Sequence, residues 1–153
     1  MSIEAERPPI SDEALLARFV NSKNQPAGSR TLGFRMIEVS QAERRVVVEF
    51  DARAELLANP MKQVQGGYLC AMLDEVMSVA CQVASGMTHV GLTVEMKTSF
   101  FRPAMPGKLT GVGRVVRWGK TIAFTEGELA DAEGRILAKA TGTALPTPFA
   151  RYK

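Results

Sequence analysis

The sequence predicts an α+β fold: one antiparallel β-sheet wrapped around a single long central helix, with a short helix ahead of it. Three observations carry the prediction. Residues 66–84 run without proline through a stretch rich in Ala, Leu, Met and Val, between Gly66-Gly67 and Gly86. The segments on both sides alternate apolar and polar residues with a period of two. Their order is a strand pair, the helix, and then four strands in a meander, which favours antiparallel neighbours.

Taken in order, residues 1–10 (MSIEAERPPI) are polar with two prolines and read as a loose arm. Ser11 followed by Asp12 and Glu13 is an N-cap with acids in the first turn, and Leu15, Leu16, Phe19 and Val20 form a helical stripe. A short helix over 11–21 follows, ended by a polar stretch over 21–30. Residues 33–39 and 43–51 read as two strands around Ser40-Gln41. In the second, Val46, Val48 and Phe50 alternate with Arg45 and Glu49. Residues 53–64 are irregular, broken at Asn59-Pro60. The helix over 66–84 is apolar around most of its circumference, so it is expected to be buried. Strands then follow over 91–101, 108–118, 121–130 and 135–145, punctuated by Pro103, Pro106-Gly107, Gly119-Lys120 and the turn Asp131–Gly134. In 91–101, Leu92, Val94, Met96, Thr98 and Phe100 share one face, and Thr93, Glu95, Lys97 and Ser99 the other.

The 153 residues form a single domain with 46% hydrophobic content, enough to bury a core, and no apolar run approaches a membrane span. A net charge of +3 does not point to nucleic acid, although it leaves room for a basic patch facing a small polyanion. One histidine, His89, and two cysteines, Cys70 and Cys81, are too few for the usual zinc sites. No G-x-S-x-G elbow supports a serine triad. The cysteines stand eleven residues apart on one helix, about 16 Å of rise, and cannot bridge within it. Free thiols without a secretory signal pattern point to a reducing, cytoplasmic setting. A sheet around one helix leaves open edges, so a dimer or tetramer is expected.

Asp74 stands out, a poor helix former between apolar neighbours. At 100° per residue, Gly67, Cys70, Ser78 and Cys81 lie near its face in a narrow strip of small residues. The Gly-Gly helix start offers backbone N–H groups suited to an oxyanion. The alternative is that Asp74 and Glu75 are solvated, or that Asp74 pairs with a basic residue.

With Asn59-PMKQV-Gln65-Gly66-Gly67-YLCAML-Asp74, and GLTVEMKTSFFRPAMPGKL, RVVRWGKT and DAEGRILAKATGTAL downstream, the chain resembles the hotdog-fold acyl-CoA thioesterases. The likeness is to the phenylacetic-acid-degradation type, near the 4-hydroxybenzoyl-CoA thioesterase group, and covers about residues 28–146. It implies hydrolysis of an acyl- or aryl-CoA thioester, with coenzyme A as part of the substrate and no separate cofactor or metal. Asp74 would be the catalytic carboxylate, as nucleophile or general base, and the Gly66 N–H the oxyanion donor. Asn59 would place the carbonyl or water, with Gly67 beside it on the substrate. Ser78 and Thr93 match positions of orienting hydroxyls. In dimers of such proteins the acid and the loop donors commonly come from opposite subunits. Gln65 stands where the family usually has histidine; glutamine can hydrogen-bond but does not titrate near neutral pH. A positioning role survives that change and a proton-carrying role does not, so an acyl-CoA-binding protein without catalysis is the rival reading. Hydratase branches of the fold need a site histidine, and His89 sits in the loop after the helix, where it reads as exposed or locally bonded. Arg102, Arg117 and Lys120, near Arg114, are either a solvated sheet face or contacts for CoA phosphates. Gly111, Gly113 and Gly119 spell no dinucleotide fingerprint and read as points of strand bending.

Overall fold

The computed structural model describes residues 10–152. Residues 1–9 of the expected arm lie outside the described residues. The first helix, α1 (Asp12–Val20), starts where expected, with the Ser11 side chain accepting a hydrogen bond from the Ala14 N–H at 3.2 Å. It buries Leu15 and lies along β1 (Arg35–Ser40). Gln41 fixes that docking, its side chain donating to the Ile10 carbonyl and to Asp12, both at 2.8 Å. The polar stretch after α1 is not all loop, because α2 (Ala27–Thr31) forms there, with Ser29 buried.

Strand β1 pairs with β2 (Arg45–Ala52), whose Val46, Val48 and Phe50 face the core as the alternation predicts. The irregular segment holds one short helix, α3 (Ala54–Leu57), which buries Leu57. The long helix α4 spans Gly66–Ala84, the predicted range, and buries a wide face that includes Leu69, Met72, Leu73, Val76, Met77 and Val83.

Strands β3 (His89–Phe100), β4 (Gly107–Trp118), β5 (Ala123–Ala130) and β6 (Ile136–Pro148) complete a six-stranded antiparallel sheet in the order β1-β2-β4-β5-β6-β3. This corrects the four-strand meander. Of these four, only β4, β5 and β6 are sequential neighbours. β3 instead pairs with β6 at the far edge, because the link between Phe100 and Gly107 carries the chain across the sheet. Two edges remain. α1 packs on β1, whereas the free side of β3 pairs with nothing among the described residues.

Helix and sheet approach closely because the strands present glycine beneath the helix. A Cβ on Gly113 would lie 2.0 Å from the Val76 carbonyl oxygen, and one on Gly91 would lie 2.7 Å from the Cys81 sulfur. At Gly113 the glycine therefore makes room for the helix backbone, and close approach replaces the expected strand bending as its role. Among the described residues, no helix is long and apolar enough to cross a membrane.

Candidate active site

The strip of small residues on α4 faces edge strand β3, which runs antiparallel to it. Cys70 Sγ donates to Thr98 Oγ1 at 3.6 Å, Thr93 Oγ1 donates to Asp74 Oδ1 at 2.5 Å, and Ser78 Oγ donates to the Gly91 carbonyl at 3.2 Å. Asp74 is half-buried and pairs with no Lys or Arg among the described residues. The Thr93 hydroxyl is its side-chain partner among the described residues, in a strip of small polar residues on an otherwise largely apolar helix. Ser78, by contrast, spends its hydroxyl proton on the sheet. Cys81 is fully buried against Gly91, and burial pushes its thiol up to about 12, so it does not belong to the polar strip.

Thr93 reaches Asp74 because β3 carries a bulge. The pairing of Thr93 with Ala144 is followed directly by that of Glu95 with Thr143, leaving Val94 as the extra residue. Strict alternation puts Thr93 on the face of Glu95, Lys97 and Ser99. The bulge shifts the phase, so that Thr93, Met96, Thr98 and Phe100 face the helix and Leu92 and Glu95 turn away. Leu92 and Val94 are consequently exposed, at 41% and 62%.

The start of α4 is built by the turn before it. Asn59 Oδ1 accepts from the N–H groups of Met61 and Gln63 at 2.9 and 3.0 Å, and the Asn59 N–H donates to the Gln63 carbonyl at 2.7 Å. The side-chain oxygen of Asn59 is therefore committed to the turn, and the amide end alone is left for a substrate. Gln65 caps the helix with extended backbone (φ −62°, ψ 139°), donates its N–H to the Leu57 carbonyl, and has an exposed side chain that makes no capping bond. Gly66 is the first helical residue, so its N–H has no partner within the helix. Gly67 is exposed, with nothing within 4 Å of an added Cβ. A cleft of about 340 Å³ opens here, lined by Asn59, Val64, Gly66, Leu69, Phe100 and Arg102 among others.

The predicted site residues do not all meet within one protomer. Gly66 and Asp74 are eight residues apart on one straight helix, a rise of about 12 Å, too far for both to touch one carbonyl in a single protomer. The basic residues also separate. Arg102 borders the cleft and donates from Nη1 to the Ile136 carbonyl at 2.8 Å. Arg117 pairs with Phe124 in the row of Thr143 and Glu95, five residues along β3 from Phe100 and three strands across, roughly 20 Å away. Lys120 lies beyond it in the β4–β5 turn. His89 is the first residue of β3, bonded to Thr88 Oγ1 at 2.8 Å and edge-on to Trp118 at 5.9 Å, which satisfies the reading of a locally bonded residue but moves it out of the loop. A larger cavity, about 590 Å³, lies on the outer face of the sheet among Lys97, Arg114 and Lys139; of the predicted basic cluster it contains Arg114, which is paired with Glu126, and it contains neither Asp74 nor the residues at the start of α4.

One acid escaped the sequence reading. Glu75 is not solvated: Ser29 Oγ of α2 donates to its Oε1 at 2.6 Å. Burial, only partly offset by that hydrogen bond, raises its carboxyl above the ordinary range, with a smaller push from the charge of Asp74. The sequence signal was the Asp-Glu pair in an apolar helix. The partner, 46 residues upstream, had no signal at all.

Among the described residues, no three His, Cys, Asp or Glu side chains form a metal-binding group. A long helix wrapped by one antiparallel sheet, with a carboxylate on the helix facing the sheet edge, defines a hotdog-fold protein. The chain belongs to the thioesterase superfamily, which matches residues 62–138. It is similar to a phenylacetic acid degradation-related protein from Ralstonia eutropha JMP134, with 31% identity and a TM-score of 0.74, covering 85% of this chain and 98% of that one. It also matches AziG of S. sahachiroi at 27% identity and a TM-score of 0.73, over 82% of this chain and all of that one. A protein of Saccharolobus solfataricus named "Putative esterase" is 33% identical over 65% of this chain and 69% of its own length. A protein of the same name from Thermoplasma volcanium is 32% identical over 52% of this chain, and the match spans 59% of that relative.

Proposed function

We propose that the protein hydrolyses an acyl-CoA or aryl-CoA thioester to the free acid and CoA. The observation that carries this reading is the Asp74 carboxylate, half-buried on an apolar helix, without a basic partner among the described residues and oriented by the Thr93 hydroxyl at 2.5 Å. One oxygen accepts from Thr93 and the other is available to attack a carbonyl carbon or to take a proton from water. Gly66, at the positive end of α4, supplies an N–H for the oxygen that gains charge as the tetrahedral intermediate forms. Collapse of that intermediate expels the CoA thiolate. If Asp74 attacks directly, water then cleaves the acyl-aspartyl anhydride; if it acts as a base, water is the first nucleophile.

The rise of about 12 Å between Gly66 and Asp74 supports a site shared by two protomers joined through the free β3 edges. In that arrangement Asp74 of one chain faces Gly66 of the partner subunit, and each dimer holds two equivalent sites. Arg102, at the border of the cleft, is the candidate for the phosphates of CoA, and Arg117 and Lys120, roughly 20 Å from it, lie too far away to join it within one protomer.

Gln65 favours the second reading, an acyl-CoA-binding protein without turnover, since it places no titratable group beside the glycine pair. A panel of acyl-CoA thioesters in a thiol-release assay separates the two. The hydrolase reading requires at least one substrate on which wild type exceeds Asp74→Asn. Equal background rates throughout would sink it, and saturable binding would then favour the second reading.

A further inference from the structure

Phe100 stands over the proposed oxyanion donor. β3 ends at this residue, and the chain turns there under tight restraint: the Phe101 and Arg102 N–H groups both donate to the Leu137 carbonyl, at 2.8 and 3.3 Å. The ring is thereby held against the start of α4. A Cβ on Gly66 would lie 3.4 Å from Phe100 Cζ, which is ordinary van der Waals contact. Phe100 nevertheless stays 52% exposed, so its other face is open to a ligand. Below it, the cleft has a carbon floor made by Val64, Leu69 and Ala104, which are 4%, 3% and 1% exposed.

This geometry constrains a thioester placed as proposed above. A carbonyl oxygen held about 2.9 Å from the Gly66 nitrogen puts the carbonyl carbon and the carbon beside it some 4 to 5 Å from that nitrogen. The Phe100 ring lines the same cleft as Gly66, within contact range of it. A tetrahedral branch on the carbon next to the carbonyl is directed against the ring, whereas a straight chain or a planar aryl group can pass along it towards the floor. We infer that Phe100 is the specificity-determining residue for the acyl group and that it excludes thioesters with a tetrahedral branch beside the carbonyl, whereas a planar aryl carbon can lie flat along the ring. The inference rests on the proposed hydrolase reading for the position of the thioester.

The experiment compares butanoyl-CoA with 2-methylpropanoyl-CoA, isomers that differ only in that branch. kcat/KM is measured for wild type, Phe100→Ala and Phe100→Leu, and Kd for both thioesters is measured by calorimetry in Asp74→Asn and in Asp74→Asn/Phe100→Ala. Wild type should prefer the straight chain at least about tenfold, as expected for one misplaced methyl in an apolar site. Phe100→Ala should bring the ratio to within about threefold by raising the branched substrate, with Leu in between. A ratio that Phe100→Ala leaves unchanged, or a wild type that does not favour the straight chain, overturns the assignment. Turnover with an unchanged ratio sinks Phe100 alone. A collapsing Kd ratio without turnover of these or any other thioester of the panel keeps the subsite and sinks the hydrolase reading, and failure to bind either thioester overturns the Phe100 assignment while the panel decides the hydrolase reading.

Discussion

The division of the site between two chains can be tested by complementation. Gly66→Pro deletes the proposed N–H without disturbing the helix, because proline suits the first helical position and the preceding Gln65 already has the extended backbone that proline requires. Its Cβ would meet only the Phe100 side chain, at contact distance. Loss of a single oxyanion donor costs about 10²–10³ in kcat, or ~3–4 kcal/mol of transition-state stabilisation. Asp74→Asn, which removes the nucleophile or base, should fall at least as far. With the two groups about 12 Å apart in one chain, a mixed dimer of Gly66→Pro and Asp74→Asn carries both lesions at one site and neither at the other. Co-expressed in equal amounts, half the dimers are mixed and each retains one site of two. The pool should therefore show about a quarter of wild-type activity, far above either parent. The assay is thiol release, with each homodimer and the pool at equal total concentration. Activity of the pool that merely averages the two parents would refute the shared site. A Gly66→Pro homodimer as active as wild type would refute the amide assignment itself.

Three further outcomes follow from the packing. Gly113→Ala would place a methyl 2.0 Å from the Val76 carbonyl, part of a helix backbone that cannot yield locally; urea denaturation should show a loss on the order of 3 kcal/mol, while Gly28→Ala, with open space around it, should be neutral or slightly stabilising. Because burial raises the Glu75 carboxyl, the folded state binds a proton more tightly than the unfolded one, so its contribution to stability falls as pH rises from the ordinary glutamate range through the raised value. Glu75→Gln should flatten that slope and leave the protein more stable at neutral pH, whereas Ser29→Ala should cost about 1 kcal/mol by removing the donor to a half-buried acceptor, both read from urea midpoints across pH. Finally, a thiol reagent at neutral pH should modify half-buried Cys70 in the native protein and Cys81 only after unfolding, since the latter thiol is buried and pushed up to about 12.

What could be read from the sequence, and what could not, divides along physical lines. Local signals were reliable: the Gly-Gly start and the Gly86 stop bracket α4, and the Ser11 cap marks α1. Period two located every strand, because side-chain alternation is imposed by the backbone itself. It misassigned Thr93, because a bulge leaves no mark in a run of β-formers such as LTVEM. Strand order was also misread at β3, since the partner of an edge strand is chosen by the path of the chain and not by its composition. The short helices α2 and α3 lie in segments too brief for a periodic pattern. Asp74 and the glycines before it were legible as a motif. The Ser29–Glu75 contact and the ring of Phe100 over Gly66 were not, because both depend on residues more than 30 positions apart.

The bulge at Val94 has a second consequence, for solubility. A twelve-residue edge strand with exposed Leu92 and Val94 invites any flat, extended segment to add to the sheet. The extra residue kinks and twists that edge, so a regular strand cannot stay in register along its whole length. Only a partner carrying the same irregularity in the opposite direction, such as a second copy related by a two-fold axis, can match it throughout. The residue that turns Thr93 towards Asp74 thereby also makes the open edge a poor seed for aggregation.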